Sequence, residues 1–194
     1  MPPATVSNDC VAKQNPLCFM DISVGSQPIG RVVFELFADI CPKTAENFRS
    51  LCTGETTTPE GQTLTYKSTQ FHSVYPDWAL VGGDIVNHNG TGGYSIYGKY
   101  FNDENYTVKH DQPGILSMMN FKNNTNSSQF IISLDAAPSL DGQNVAFGRV
   151  VCGLSVMDKI STIGSQSGQP TRKVIVTDCG QLKSLNSRKI SQRA

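Results

Sequence analysis

Short apolar runs separated by glycine, proline, asparagine and serine constrain this chain more than any other feature. Leu17–Ser23, Gly30–Leu36, Ile115–Met119, Phe130–Leu134, Val145–Val151 and Val174–Cys179 are each of strand length, with turn-forming residues between them. Only two segments repeat their apolar residues at helical spacing. One is Pro42–Leu51, continuing to Cys52 through Ala45 and Phe48; the other is Leu154–Ile163, through Met157 and Ile160. Many short strands and two helices predict a mainly β fold: a closed, mostly antiparallel sheet whose open ends the helices plug.

Local signals sharpen that reading. Val24-Gly25-Ser26-Gln27-Pro28 is a turn that makes a hairpin of the first two strands. In the second strand Val32, Phe34 and Leu36 share one face and Val33 and Phe37 the other, so both faces are expected to be covered. Pro42 suits the first helical position, where a missing N–H costs nothing, Glu46 complements the helix dipole, and Gly54 supplies the stop. Residues 55–65 read as a polar loop, longer than a connection needs. Phe71–Asp84 reads as two short strands about a Pro turn, closing on Gly82-Gly83. Residues 1–15 read as a loose lead-in and 183–194 as a solvated basic tail, which leaves one domain over 16–182.

Sixteen acidic residues offset sixteen basic ones in 194, so no long-range field is expected to draw nucleic acid or anionic lipid. No apolar run is long enough to span a membrane. Met1-Pro2-Pro3-Ala4-Thr5 lacks the basic and apolar parts of a secretory leader, which predicts a cytoplasmic location. The six cysteines include no C-x-x-C pair; reduced thiols are expected, and no zinc. The Asn-x-Ser/Thr triplets at Asn89, Asn105, Asn123 and Asn126 are then bare.

Two glycine-rich segments imitate known chemistry without its key residues. Gly90-Thr91-Gly92-Gly93 lacks the Lys-Ser/Thr and helix of a phosphate loop and reads as a tight turn. Gly164–Gly168 has Gln166 where a nucleophile elbow needs its nucleophile, and reads as a flexible loop. His72, His88 and His110 share no metal spacing. His72, beside Phe71 and Val74, reads as a hydrogen-bonded structural imidazole. No metal or cofactor is expected.

Several segments, taken in order, resemble one family. They are Pro42-Lys43-Thr44-Ala45-Glu46-Asn47-Phe48-Arg49, Phe71-His72, Gly82-Gly83-Asp84 and His88–Gly93. Phe101–Asn105, Gly114-Ile115-Leu116-Ser117-Met118, Ser128-Gln129-Phe130, Phe147-Gly148 and Asp178–Leu182 follow. The family is the cyclophilins, peptidyl-prolyl isomerases, and the resemblance runs from about Leu17 to Leu182. It implies a closed eight-stranded antiparallel β-barrel capped by two α-helices. It also implies an apolar proline pocket and an arginine that donates to the prolyl nitrogen, drawing its lone pair away from the carbonyl. The barrier so lowered is about 18–20 kcal/mol, because the C–N bond has partial double-bond character.

Carried over residue by residue, the family's arginine position is Ser73, and the glutamine that orients the arginine falls at Val81. The pocket phenylalanine and methionine become Trp78 and Ala79, the floor phenylalanine Ile131, the nearby tryptophan Ser139 and the histidine Asn144. Asn120 and Gln129 fall at positions that hold the substrate backbone, and Leu140 is retained. Met119, Phe121 and Lys122 stand where the family has small residues, with Phe121 a candidate partner contact. The carry-over implies a module that binds Xaa-Pro segments of proteins, with weak or lost isomerase activity and poor cyclosporin binding. A working isomerase that assists folding is the alternative. Cys52 and Cys179 match a cysteine pair of the divergent-loop cyclophilins, which implies a redox pair as a third reading. The Trp78 pattern also resembles the cyclophilin-like chains of ciliary axonemes, implying a large cytoskeletal assembly as partner.

Overall fold

The structure, a computed structural model, describes residues 14–183; most of the lead-in and tail segments therefore lie outside the described residues. Strands β1 (Leu17–Val24) and β2 (Gln27–Leu36) form the expected hairpin about Gly25, whose φ of 59° suits glycine. β2 starts at Gln27 rather than Gly30. Val32, Phe34 and Leu36 are buried, whereas Val33 and Phe37 are only half-buried, so the second face is covered less than expected.

Helix α1 (Pro42–Thr53) buries Ala45, Phe48, Leu51 and Cys52 and ends on Gly54 in the left-handed conformation. Cys41 provides no side-chain cap at its start. Glu104, from a distant loop, does so instead. Its carboxylate accepts the N–H groups of Lys43 and Thr44 at 3.0 and 2.8 Å and the Thr44 hydroxyl at 2.7 Å.

The segment expected to be a plain polar loop holds a small hairpin, β3 (Thr56–Thr57) against β4 (Thr63–Leu64). Threonine favours the extended backbone, Gly61 turns the chain at φ 85°, and Leu64 is buried as its anchor. There follow β5 (Gln70–Phe71), β6 (Ser73–Tyr75), β7 (Ala79–Gly82), β8 (Ile115–Met118), β9 (Phe130–Ser133), β10 (Ala146–Cys152), helix α2 (Leu154–Ser161) and β11 (Val174–Gln181).

Nine strands form one antiparallel sheet in the order β5-β11-β1-β2-β10-β8-β9-β7-β6. Its two outermost members, β5 and β6, are halves of a single segment, Gln70–Tyr75, interrupted at His72. That segment pairs with β11 on one side and β7 on the other, which closes the sheet. Counted as one strand, it gives the expected eight.

α1 packs across β1, β10 and β11, and α2 against β2 and β6. Gly30 lets α2 approach: a Cβ there would lie 2.7 Å from a Val156 methyl. Inside the barrel Phe48 sits among Phe34, Tyr66, Phe130 and Phe147 with ring centroids 5.1–5.6 Å apart. The buried Tyr66 hydroxyl donates to the Ser128 carbonyl at 2.7 Å. Among the described residues no helix is long and apolar enough to cross a membrane.

Candidate peptide-binding site

Alternation along β6, β7, β9 and β8 sorts the side chains onto two faces. Val74, Leu80, Ile132 and Leu116 lie in register and belong to the barrel core. Ser73, Val81, Ile131 and Ser117 form the neighbouring row, facing the other way. On that face Ala79, Val81, Ile131, Ala137 and Leu140 make a second apolar cluster, with Tyr75 and Met119 at its edge. Five residues singled out from the sequence (Ala79, Val81, Met119, Ile131 and Leu140) thus meet in one place.

Leu140 reaches the cluster on a single 3-10 turn, Pro138–Leu140. His110 fastens both ends of that turn. Its N–H and its ring Nδ1 lie 3.0 and 2.9 Å from Asp141 Oδ1, and its carbonyl accepts the Ala137 N–H at 2.8 Å. These bonds hold the Asp141 carboxyl below its ordinary range. Trp78 stands over the edge of the cluster, 39% exposed, in an edge-to-face contact with Tyr75 at 5.2 Å. Its backbone is fixed on both sides, the N–H donating to the Tyr75 carbonyl and the carbonyl accepting from Leu134.

Ser73 is half-buried and lies opposite Val81, a side chain without a polar atom. The arginines within residues 14–183 are Arg31, Arg49, Arg149 and Arg172. Arg31 pairs with Asp21, Arg49 with Glu46 and Glu55, and Arg149 with Glu35, while Arg172 donates to the Val24 carbonyl. Each of these four guanidinium groups is therefore bonded away from Ser73.

The polar candidates are engaged within the protein. The Gln129 amide, 2% exposed, donates to the carbonyls of Gly90 and Gly92 at 3.0 and 2.8 Å. Asn120 donates to the Gln143 carbonyl at 2.9 Å, and Asn144 to that of Met118 at 2.9 Å. Phe121 is 60% exposed on a turn pinned by Thr125, whose hydroxyl accepts the N–H groups of Phe121 and Lys122.

The Gly90–Gly92 carbonyls are placed by Asp84, which sequence reading passed over. Its buried carboxylate accepts N–H groups from Val86, Asn87, Asn89, Gly90 and Gly92. Burial opposes its charge, yet these bonds hold its pKa below the ordinary value. The Asn/Gly-rich run after Gly82-Gly83-Asp84 was the available signal. Tyr75, two residues beyond Ser73 on the same face, was legible from strand period; Ala137 and the His110 fastening were not.

Two readings need correction. Gly164–Gly168 is tied down: Val74 donates to the Gly168 carbonyl at 2.8 Å and Ser165 to that of Val74 at 3.2 Å. His72 is not hydrogen-bonded through Nδ1, which is buried without a partner. Cys52 and Cys179 are free thiols. Burial pushes Cys52 well up and Cys179 to about 11, so neither is a ready thiolate. A family model described as cyclophilin type peptidyl-prolyl cis-trans isomerase/CLD matches residues 19–181.

Proposed function

The chain belongs to the cyclophilin-type peptidyl-prolyl isomerase family, and from that premise we propose that it grips proline-containing protein segments while doing little to twist them. The observation that carries the reading is the pairing of Ser73 with Val81 beside an intact apolar cluster. The cluster can seat a proline ring. Ser73 offers a short neutral hydroxyl, and Val81 offers nothing to orient a cation. Cis and trans prolyl bonds differ by only about 0.5–1 kcal/mol, so a surface that merely binds leaves the barrier near its solution height.

In this reading Trp78 and Tyr75 form an aromatic wall, and Phe121 supplies a partner contact at the groove's edge. The role is binding or assembly, with a large cytoskeletal structure as the proposed partner. A working isomerase is the second reading, favoured by the retained Leu140, Asn120 and Gln129. Exchange spectroscopy or a protease-coupled assay on an Xaa-Pro peptide separates the two. The binding reading expects saturable peptide binding with an isomerisation rate close to the uncatalysed one. Turnover at the level of ordinary cyclophilins overturns it.

A further inference from the structure

Sharing no residue with the apolar cluster, a cleft of about 270 Å³ opens beside His72. Its walls come from three separated parts of the chain: Gln70 and His72, His88 and Asn89, and the segment carrying Arg172 and Lys173. Two permanent cations line it, and no carboxylate does. In a chain with no net charge, this is a local concentration of positive potential.

The two histidines that line the cleft add donors. Nδ1 of both His72 and His88 is buried without a hydrogen-bond partner. A proton there would be an unpaired buried donor, so each neutral ring carries its proton on Nε2, the donor it has left to offer. The walls are also held in place. The Gln70 amide donates to the His88 carbonyl at 2.7 Å, and an Arg172 Nη donates to the Val24 carbonyl at 3.2 Å. That anchor leaves the rest of the planar fork free to meet oxygens. No group of three His, Cys, Asp or Glu side chains placed to hold a metal occurs among the described residues, so the donor set favours an anion. The volume is below the roughly 300–1,000 Å³ of pockets for drug-sized ligands and suits a single tetrahedral group.

We propose that this cleft is a binding site for a phosphate-type oxyanion, held between Arg172, Lys173 and the imidazoles of His72 and His88. The site is separate from the proline pocket, and the proposal does not depend on how active that pocket is. Burial lowers the His72 pKa, although the carboxylate of Asp84 works against the shift.

The test is an NMR titration of the full chain with inorganic phosphate at constant ionic strength. Amide and imidazole shifts should saturate and cluster at Gln70–His72, His88–Asn89 and Arg172–Lys173. Arg172→Gln combined with Lys173→Gln should weaken binding by about tenfold or more. Lys173→Gln alone serves if the pair disturbs the fold, and Arg149→Gln controls for net charge. Two further arms use a phosphoserine peptide and its unphosphorylated form. Tighter binding of the phosphopeptide than of phosphate identifies a protein carrier, and equal affinity a small phosphate ester; either keeps the assignment. Shifts that do not saturate, that scatter over the surface, or that persist undiminished in the Arg172/Lys173 variant overturn it.

Discussion

Placing a cation at position 73 is the most direct test of the proposed binding role, and the register of β6 and β7 sets the size of the effect. A charged donor aimed at a developing charge is worth about 2.7–4 kcal/mol, roughly two to three decades in rate. Ser73→Arg alone should recover only part of that. Its β7 neighbour Val81 is 6% exposed and apolar, so the guanidinium arrives untethered. Ordering it costs up to about 2 kcal/mol of side-chain entropy, which leaves about 1–2 kcal/mol, or roughly five- to thirtyfold. Ser73→Arg with Val81→Gln supplies the tether and should recover the full two to three decades, giving a coupling of about 1–2 kcal/mol. Val81→Gln alone buries an amide between Ser73 and Ile131, so it should lower stability by about 1–3 kcal/mol without raising the rate. Exchange spectroscopy on an Xaa-Pro peptide gives the rates and thermal unfolding the stability. The reasoning fails if the folded double variant is no faster than the wild type, or if the wild type already turns over like an ordinary cyclophilin.

Other outcomes follow from the same geometry. Asp84→Asn replaces one of the two oxygens that together accept five backbone N–H groups with an NH2 donor, which leaves at least two of those N–H groups facing a donor and should cost at least about 2 kcal/mol, seen as a lowered Tm. Because the folded pKa of Asp84 is depressed, its contribution is present above the unfolded value of 3.8 and is lost as pH falls through the folded one; the variant should show a shallower acid limb in a pH-stability profile. Trp78 is the sole tryptophan and is partly exposed, so a bound prolyl peptide should change its emission, and Trp78→Ala should weaken peptide binding while leaving Tm nearly unchanged. Calorimetry should find cyclosporin binding weak, with Ser139 exposed at the position the family gives to tryptophan; tight binding would contradict that carry-over. Mild peroxide should leave Cys52 and Cys179 countable as thiols after denaturation, while the exposed Cys152 reacts first; loss of the first two together would establish a switchable pair.

The barrel was legible because its signal is repeated. Strand period shows at Val32-Phe34-Leu36, short apolar runs bounded by turn residues recur at Ile115–Met118 and Val174–Val176, and both helices carry an apolar stripe, the first with Gly54 as its stop. What escaped depends on contacts distant in sequence. Glu104 caps α1 from about sixty positions away, and the break at His72 that splits one strand into β5 and β6 is a matter of partners. The 55–65 hairpin was missed because two-residue strands carry no period. At the site, the sequence named Ala79, Val81, Ile131 and Leu140 but not what their polar neighbours were doing. Asn120 and Gln129 have donors to give, and only the fold discloses that Gln143, Gly90 and Gly92 receive them.

The two-faced register explains how a member of this family can change its chemistry without endangering its fold. Val74, Leu80, Ile132 and Leu116 face the core, where removing a large side chain costs about 2–5 kcal/mol. Ser73, Val81 and Ile131 alternate with them and meet only the smaller outer cluster. An arginine-to-serine change on that row removes a charge from a half-exposed position and leaves no cavity in the barrel. The apolar members differ, because Ala79, Val81 and Ile131 cover one another, and a polar residue among them is penalised whether or not a peptide is bound. On the proposed binding role, stability preserves the apolar cluster by itself, while a cation at position 73 has only turnover to retain it. The proposal therefore expects rate enhancement to be lost before the hold on proline. Ile131→Ala, which empties the floor, should accordingly abolish peptide binding and also lower Tm by several degrees, at about 2–4 °C per kcal/mol for a domain of this size; an intact Tm with lost binding would show that the outer cluster contributes nothing to the fold.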